Sequence, residues 1–149
     1  MTGSGAGPGY VNKCPPEVQK LLCSPPNNFD EIKSWVNKSD DGKSGLGSEA
    51  DTMSGYGLSK ALLHSYTMLL GRELPKLKIS ACSPGFINTK LTAGWGASKQ
   101  PEEGTLAIKK LLFEELQGNG WYYGSDGIRS PYHFMRNPGE PEYDGIPPY

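Results

Sequence analysis

Apolar positions recur at helical spacing in four stretches of the chain. In Glu17–Leu22 they are Val18, Leu21 and Leu22, and in Phe29–Asn37 they are Phe29, Ile32, Trp35 and Val36. This i, i+3, i+4 pattern predicts two short helices. The longest helical pattern runs from Ser54 to about Leu74, with Leu58, Leu62, Tyr66 and Leu69 near one stripe and Ala61 and Met68 beside it. Pro75 ends it. A further helix is predicted over Pro101–Gln117: Pro101 suits a first helical position, and Glu102 and Glu103 suit the positive end of the helix dipole. Its Leu106, Leu111, Leu112, Phe113 and Leu116 are expected to face a sheet. Lys78–Ser83 and Gly120–Tyr123 read as strands, and the strand–helix–strand order predicts parallel pairing through a right-handed crossover. Before Glu17 no helix is expected, because Pro8, Gly9, Pro15 and Pro16 break the pattern. Asp40–Glu49 reads as a Gly/Ser/Lys loop.

Composition narrows the function classes. The 149 residues suffice for one domain, and 36% hydrophobic content permits a modest core. Glycine (20) and proline (13) gather in Met1–Pro26, Asp40–Gly57 and Gly118–Tyr149, so loops take a large share. Fifteen basic against sixteen acidic residues leave a net charge of −1 and no basic block, which gives nucleic acid or an anionic membrane no electrostatic hold. Cys14, Cys23 and Cys82 are odd in number and lack C-x-x-C spacing, against a disulfide framework or a zinc site. No apolar run reaches membrane-spanning length and no signal-peptide core is present, so a soluble cytoplasmic protein is expected.

The chemistry centres on Tyr56-Gly57-Leu58-Ser59-Lys60. Residues four apart share a helix face. A tyrosine ordinarily titrates near 10, and an ammonium one turn away favours its phenolate, which makes the ring oxygen a usable general acid or base at neutral pH. Taken alone, the Tyr56/Lys60 pair would read as an exposed helix face; its order and company along the chain give it weight. After the next strand comes Ser83-Pro84-Gly85-Phe86-Ile87-Asn88-Thr89, and ahead of it lies Met1-Thr2-Gly3-Ser4.

In that order these segments resemble the catalytic half of the short-chain dehydrogenase/reductases, in particular their carbonyl reductase-like members, from about Met1 to the region of Tyr123. The resemblance implies an α/β fold, the C-terminal part of a Rossmann-like doubly wound parallel sheet with its N-terminal half missing. It implies a partial domain over 1–130 and an irregular or disordered Pro-rich tail over 131–149. It further implies an NADP(H)-dependent oxidoreductase that reduces a small-molecule carbonyl to an alcohol. Ser4 would hold the carbonyl oxygen, Tyr56 would protonate it, and Lys60 would bind the nicotinamide ribose. Cofactor contacts would come from Tyr56, Lys60 and the turn carrying Pro84, Gly85, Ile87 and Thr89. No metal is implied.

The family's glycine-rich first turn, its Asn-Asn-Ala-Gly segment and its relay asparagine have no counterpart in these residues. A fragment is therefore expected, with the helix faces around Leu62 and Leu111 short of cover. Thr2-Gly3-Ser4-Gly5-Ala6-Gly7-Pro8-Gly9 fits the family's T-G-x-x-x-G-x-G fingerprint by letter. It is read instead as the end of the serine-bearing strand, since no helix is expected after it to aim amides at a pyrophosphate. The long Ser4–Tyr56 interval matches the carbonyl reductase-like members and implies a monomer; a tolerated surface insertion is the alternative.

Plainer roles stand beside each candidate. Ser4 is a loop serine or a substrate contact, and Thr89 an N-cap or a cofactor contact. His64 is a packed or surface helix histidine rather than a base, and His133 is structural or solvated. Trp95, Trp121, Tyr122 and Tyr123 are core or pocket wall. A steroid or polyol dehydrogenase, or a non-catalytic remnant serving as an interaction module, remain as other readings.

Overall fold

The computed structural model describes residues 1–39 and 52–146. Helices α1 (Ala6–Val11), α2 (Pro16–Leu22), α3 (Phe29–Ser39) and α4 (Thr52–Glu73) come first. Strand β1 (Ser80–Cys82), helix α5 (Leu106–Phe113) and strands β2 (Trp121–Tyr123) and β3 (Arg129–Ser130) follow. The expected loop at Asp40–Glu49 lies outside the described residues.

β1 and β2 pair in parallel, Ser80 opposite Trp121 and Cys82 opposite Tyr123, as the strand–helix–strand order predicts. On the other side of β1, Thr2 bridges Cys82 in parallel, through Gly3 N–H to the Cys82 carbonyl (2.8 Å) and Cys82 N–H to the Met1 carbonyl (2.9 Å). β3 departs from the all-parallel expectation: Tyr122 faces Ser130 in antiparallel register. The turn Gly124–Gly127 between them permits this, with Gly127 at φ +73° and its N–H bonded to the Gly124 carbonyl.

Alternation along the strands divides the layers. Tyr122 meets the α4 side, where its ring packs on His64. Cys82 and Tyr123 turn the other way and cluster with Ala107 and Leu116. Helices thus cover both faces of a small mixed sheet, an arrangement compatible with part of a Rossmann-like fold.

The α4 layer corrects two expectations. A helix does form at Ala6–Val11. Pro8 falls in its first turn, where a missing N–H costs no bond, and close packing on α4 outweighs poor propensity. The Cβ positions of Gly57 and Gly7 lie 2.7 Å from Tyr10 Cβ and 3.1 Å from Ala61 N, so only glycine lets the two helices approach this closely. With α1, α2 and α3 in place, Leu62 is buried with Leu58, Ala61, Leu69, Val11, Leu22 and Trp35 rather than left uncovered.

α5 is shorter than Pro101–Gln117. Glu103–Thr105 is a 3-10 turn, the α-helix spans Leu106–Phe113, and Glu114 is already extended. Ala107 and Leu111, four apart, turn to the sheet, while Leu106, Leu112 (69% exposed) and Phe113 (83% exposed) point away from it. Leu116 reaches the sheet cluster only because the chain has left the helix. Trp95 is exposed, not core.

The tail after Ser130 contains no helix or strand among its described residues and is largely exposed, but it is anchored at two buried positions. Pro131 and Arg136 are buried; the Arg136 guanidinium grips Asp126 with both carboxylate oxygens, and its Nε donates to Ser130 Oγ. Burial pushes the Asp126 carboxyl up, but hydrogen bonds from Arg136 and the Ile128 and Gly139 amides outweigh this and hold it below the usual carboxylate range. No helix among the described residues is long and apolar enough to cross a membrane.

Candidate active site

Met1–Ala6 runs antiparallel to α4, and three contacts fix its course. Thr67 Oγ1 donates to Met1 Sδ (3.0 Å), Lys60 Nζ donates to the Thr2 carbonyl (3.2 Å), and Gly57 packs on the Ala6 carbonyl. Ser4 sits between the last two contacts, beside the turn of α4 that carries Tyr56. This corner lies at the carboxyl end of the parallel strands, where ligands of open α/β sheets bind.

Tyr56 is 46% exposed. Lys60 Nζ stands 5.5 Å from the centroid of the Tyr56 ring, on the same helix face. Ser4 Oγ accepts the Ala6 N–H (3.2 Å), which orients the hydroxyl and leaves its own proton to donate. Tyr56 and Lys60 thus share one face of α4, and Ser4 lies on the segment that α4 holds through Thr2 and Ala6; no hydrogen bond among the described residues joins Ser4 to Tyr56 or Lys60.

The Pro84–Thr89 turn leaves β1 at the same edge. Gly85 has φ +90°, and the space a Cβ would fill there is taken by Lys99 Cδ (2.9 Å) and Ser125 Cβ (3.1 Å), so glycine is required twice over. Ile87 bridges Lys99, and its carbonyl accepts the Thr92 hydroxyl (2.6 Å). Thr89 is exposed, with its hydroxyl 3.1 Å from that of Thr92. No hydrogen bond among the described residues ties Ile87 or Thr89 to Tyr56 or Lys60.

The glycine fingerprint at Thr2–Gly9 is followed by a helix after all, but that helix has no amide to offer. The Ala6 N–H goes to Ser4 Oγ, the Gly7 N–H to the Ser4 carbonyl and the Gly9 N–H to the Gly5 carbonyl, while Pro8 has none. Two of these amides are spent on holding Ser4.

Beneath the corner lies His64, 1% exposed. Burial first, then the nearby Lys60 and N-terminal ammonium groups, push its pKa down to about 3, so the ring is neutral at ordinary pH. Of the packed and surface alternatives, the structure selects the packed one. The i, i+4 step from Lys60 places His64 one turn along α4, and the recurring glycines before and after Ser4 were the sequence signal that something bulky sits against that turn. A separate cavity of about 400 Å³ lies toward the start of β2, lined by Arg72, Trp121, Arg129, Tyr132 and Tyr143; Ser4, Tyr56 and Lys60 are not in its wall. No group of residues able to hold a metal ion occurs among the described residues.

No family model matches the chain. It is 31% identical to carbonyl reductase [NADPH] 1 of Macaca fascicularis over 118 residues, 74% of this chain and 42% of that protein. The Homo sapiens carbonyl reductase [NADPH] 1 is likewise 31% identical over 118 residues. Salutaridine reductase of Papaver bracteatum is 29% identical over 68 residues, 46% of this chain and 22% of that protein. The matches therefore span less than half the length of these curated relatives. These similarities support a relationship to the short-chain dehydrogenase/reductases.

Proposed function

We propose that this chain carries the catalytic half of an NADP(H)-dependent carbonyl reductase that converts a small-molecule carbonyl to an alcohol. The observation that carries the reading is the bracketing of Ser4 between the Lys60–Thr2 and Gly57–Ala6 contacts, beside an exposed Tyr56. The relatives' names, carbonyl reductase [NADPH] and salutaridine reductase, agree with it. A monomer in the cytoplasm, with no nucleic-acid or membrane partner, completes the proposal.

The donor set suits one end of a nicotinamide cofactor. The Lys60 ammonium and the Tyr56 and Thr89 hydroxyls are the groups that would meet ribose hydroxyls and a carboxamide, with Pro84, Gly85 and Ile87 shaping the turn beside them. The α1 amides are occupied, so the pyrophosphate falls to a nucleotide-binding half contributed by sequence other than these residues. When bound, the nicotinamide supplies hydride.

The residues' own work follows from charge. Negative charge gathers on the carbonyl oxygen as its carbon is reduced. The Ser4 hydroxyl donates to that oxygen, and Tyr56 delivers the proton that makes it an alcohol. The Lys60 ammonium offsets the charge left on the Tyr56 oxygen.

The test is NADPH oxidation by the natural polypeptide with a panel of aldehydes and ketones. Tyr56→Phe is expected to lower kcat by about 10²–10⁴-fold while NADPH binding, followed by fluorescence titration, stays near normal. Retained turnover would remove Tyr56 from the mechanism. The exposed Leu112 and Phe113 on α5 favour one other reading, a non-catalytic interaction module; an inactive wild-type protein that still binds no NADPH would select it.

A further inference from the structure

The turn that presents Ser4 is folded over an imidazole. His64 Nε2 occupies the space a Cβ would need at Gly3, well inside contact distance, and its Cε1 and Nδ1 lie 3.0 and 3.1 Å from the Cβ position of Gly7. These two glycines stand on either side of Ser4. The ring is held from below by Tyr122, centroid to centroid 4.4 Å, and by Tyr132 at 5.4 Å. The Tyr132 hydroxyl is itself fixed to the Gly120 carbonyl (2.5 Å).

Neither ring nitrogen has a hydrogen-bond partner among the described residues. Burying two unmatched polar atoms is costly, and a leucine would fill a core position without that cost. The five-membered ring is therefore present for its shape: flat enough to lie under two glycines that approach it without a Cβ. His64 is also two helical turns along α4 from Tyr56 and one from Lys60. One rigid helix thus bears both the groups that handle the proton and the surface against which Ser4 is set.

We propose that His64 is a positioning residue for Ser4, its ring fixing how deeply the Gly3–Gly7 turn seats against the helix that carries Tyr56 and Lys60. The inference rests on the reductase reading of those three residues and adds to it what sets their spacing.

The experiment is a set of double mutants in the natural polypeptide, assayed by NADPH oxidation with 4-nitrobenzaldehyde as the probe carbonyl. His64→Ala is expected to lower kcat about tenfold with the KM for NADPH within about twofold of wild type. In the Ser4→Ala background the same change should cost less than about twofold, because its effect runs through the serine. Gly3→Ala, which pushes a methyl into the ring, should cost about tenfold alone and about twofold or less once His64→Ala has removed the ring. A loss from His64→Ala that is equal with and without the serine hydroxyl, or that moves the NADPH KM as much as kcat, overturns the proposal. If wild-type protein leaves the probe untouched, the reductase reading has failed for this carbonyl. The Gly3→Ala/His64→Ala cycle is then read in melting temperature. Additive shifts there sink the packing of ring on turn, and strongly non-additive shifts uphold it.

Discussion

On the α4 face of the sheet, Leu58, Ala61, Leu62 and Leu69 are buried against Val11, Leu22, Ile32 and Trp35. On the α5 face the buried set is Cys82, Ala107, Leu116 and Tyr123, and the large residues Leu112 and Phe113 stand in solvent. The difference separates what holds the chain together from what merely covers it. The catalytic candidates are on the thick side: Tyr56 and Lys60 are on α4, with His64 beyond them, and Ser4 lies on the turn that α4 supports, while the Pro84–Thr89 turn leaves β1. A site that must hold three side chains in register needs neighbours that do not move, and close packing supplies them.

The comparison breaks if the two faces respond alike to truncation. Leu69→Ala, at a fully buried position, is expected to cost about 2–5 kcal/mol in urea denaturation. Next in size is Asp126→Asn, which leaves the buried Arg136 without its counter-charge while keeping one hydrogen-bonding oxygen. A loss of about 1–3 kcal/mol is expected, with the tail rather than α4 the first part to open in hydrogen exchange.

Acid sharpens the same contrast. The unfolded chain takes a proton on His64 near pH 6.5, whereas in the fold burial beside Lys60 and the N-terminal ammonium delays it to about 3. Protons therefore favour the unfolded state. The His64 contribution is complete above about pH 6.5 and drains away as pH falls toward about 3. Asp126, held below the usual carboxylate range, adds a loss that begins lower, below about pH 4. Denaturation midpoints at pH 7.5 and 5 should differ in wild type and draw closer in His64→Ala, the remainder coming from His133, whose pKa burial also lowers. A fall of equal size in that variant would assign the sensitivity elsewhere. The smallest effect is expected from Leu112→Ala, within about 0.5 kcal/mol, because its side chain is already in water.

Much of the α4 face could be read from the sequence because it is written in a local code. The helical spacing of Val18 and Leu22, of Ile32 and Trp35, and of Leu58, Leu62 and Leu69 marks α2, α3 and α4, and Pro75 stops the last. Tyr56 and Lys60 follow from the same arithmetic. What escaped was set by distant partners. α1 forms across Gly7, Pro8 and Gly9 because it packs on α4, which leaves no room for a side chain at Gly7 and meets Tyr10 through its own Gly57. The apolar residues of α5 are spread round the helix, interrupted by Lys109 and Lys110, and spacing alone cannot say that Ala107 rather than Leu112 meets the sheet. β3 is two residues long, and the burial of Arg136 depends on an acid ten positions earlier. In the site, the order of Ser4, Tyr56 and Lys60 was legible. The ring beneath Ser4 has no periodic signature, and its one trace in the sequence is the pair of glycines at Gly3 and Gly7 that flank the serine.

Because Tyr56, Lys60 and His64 ride on one uninterrupted helix, α4 acts as a ruler graduated in residues. A substitution between them alters one mark, but a single inserted or deleted codon would turn everything beyond it by about 100° and slide it by about 1.5 Å. Tyr56 would then swing off the serine corner while His64 stayed beneath it, or the reverse. Over its lineage, this stretch should accept changes of letter far more readily than any change of length.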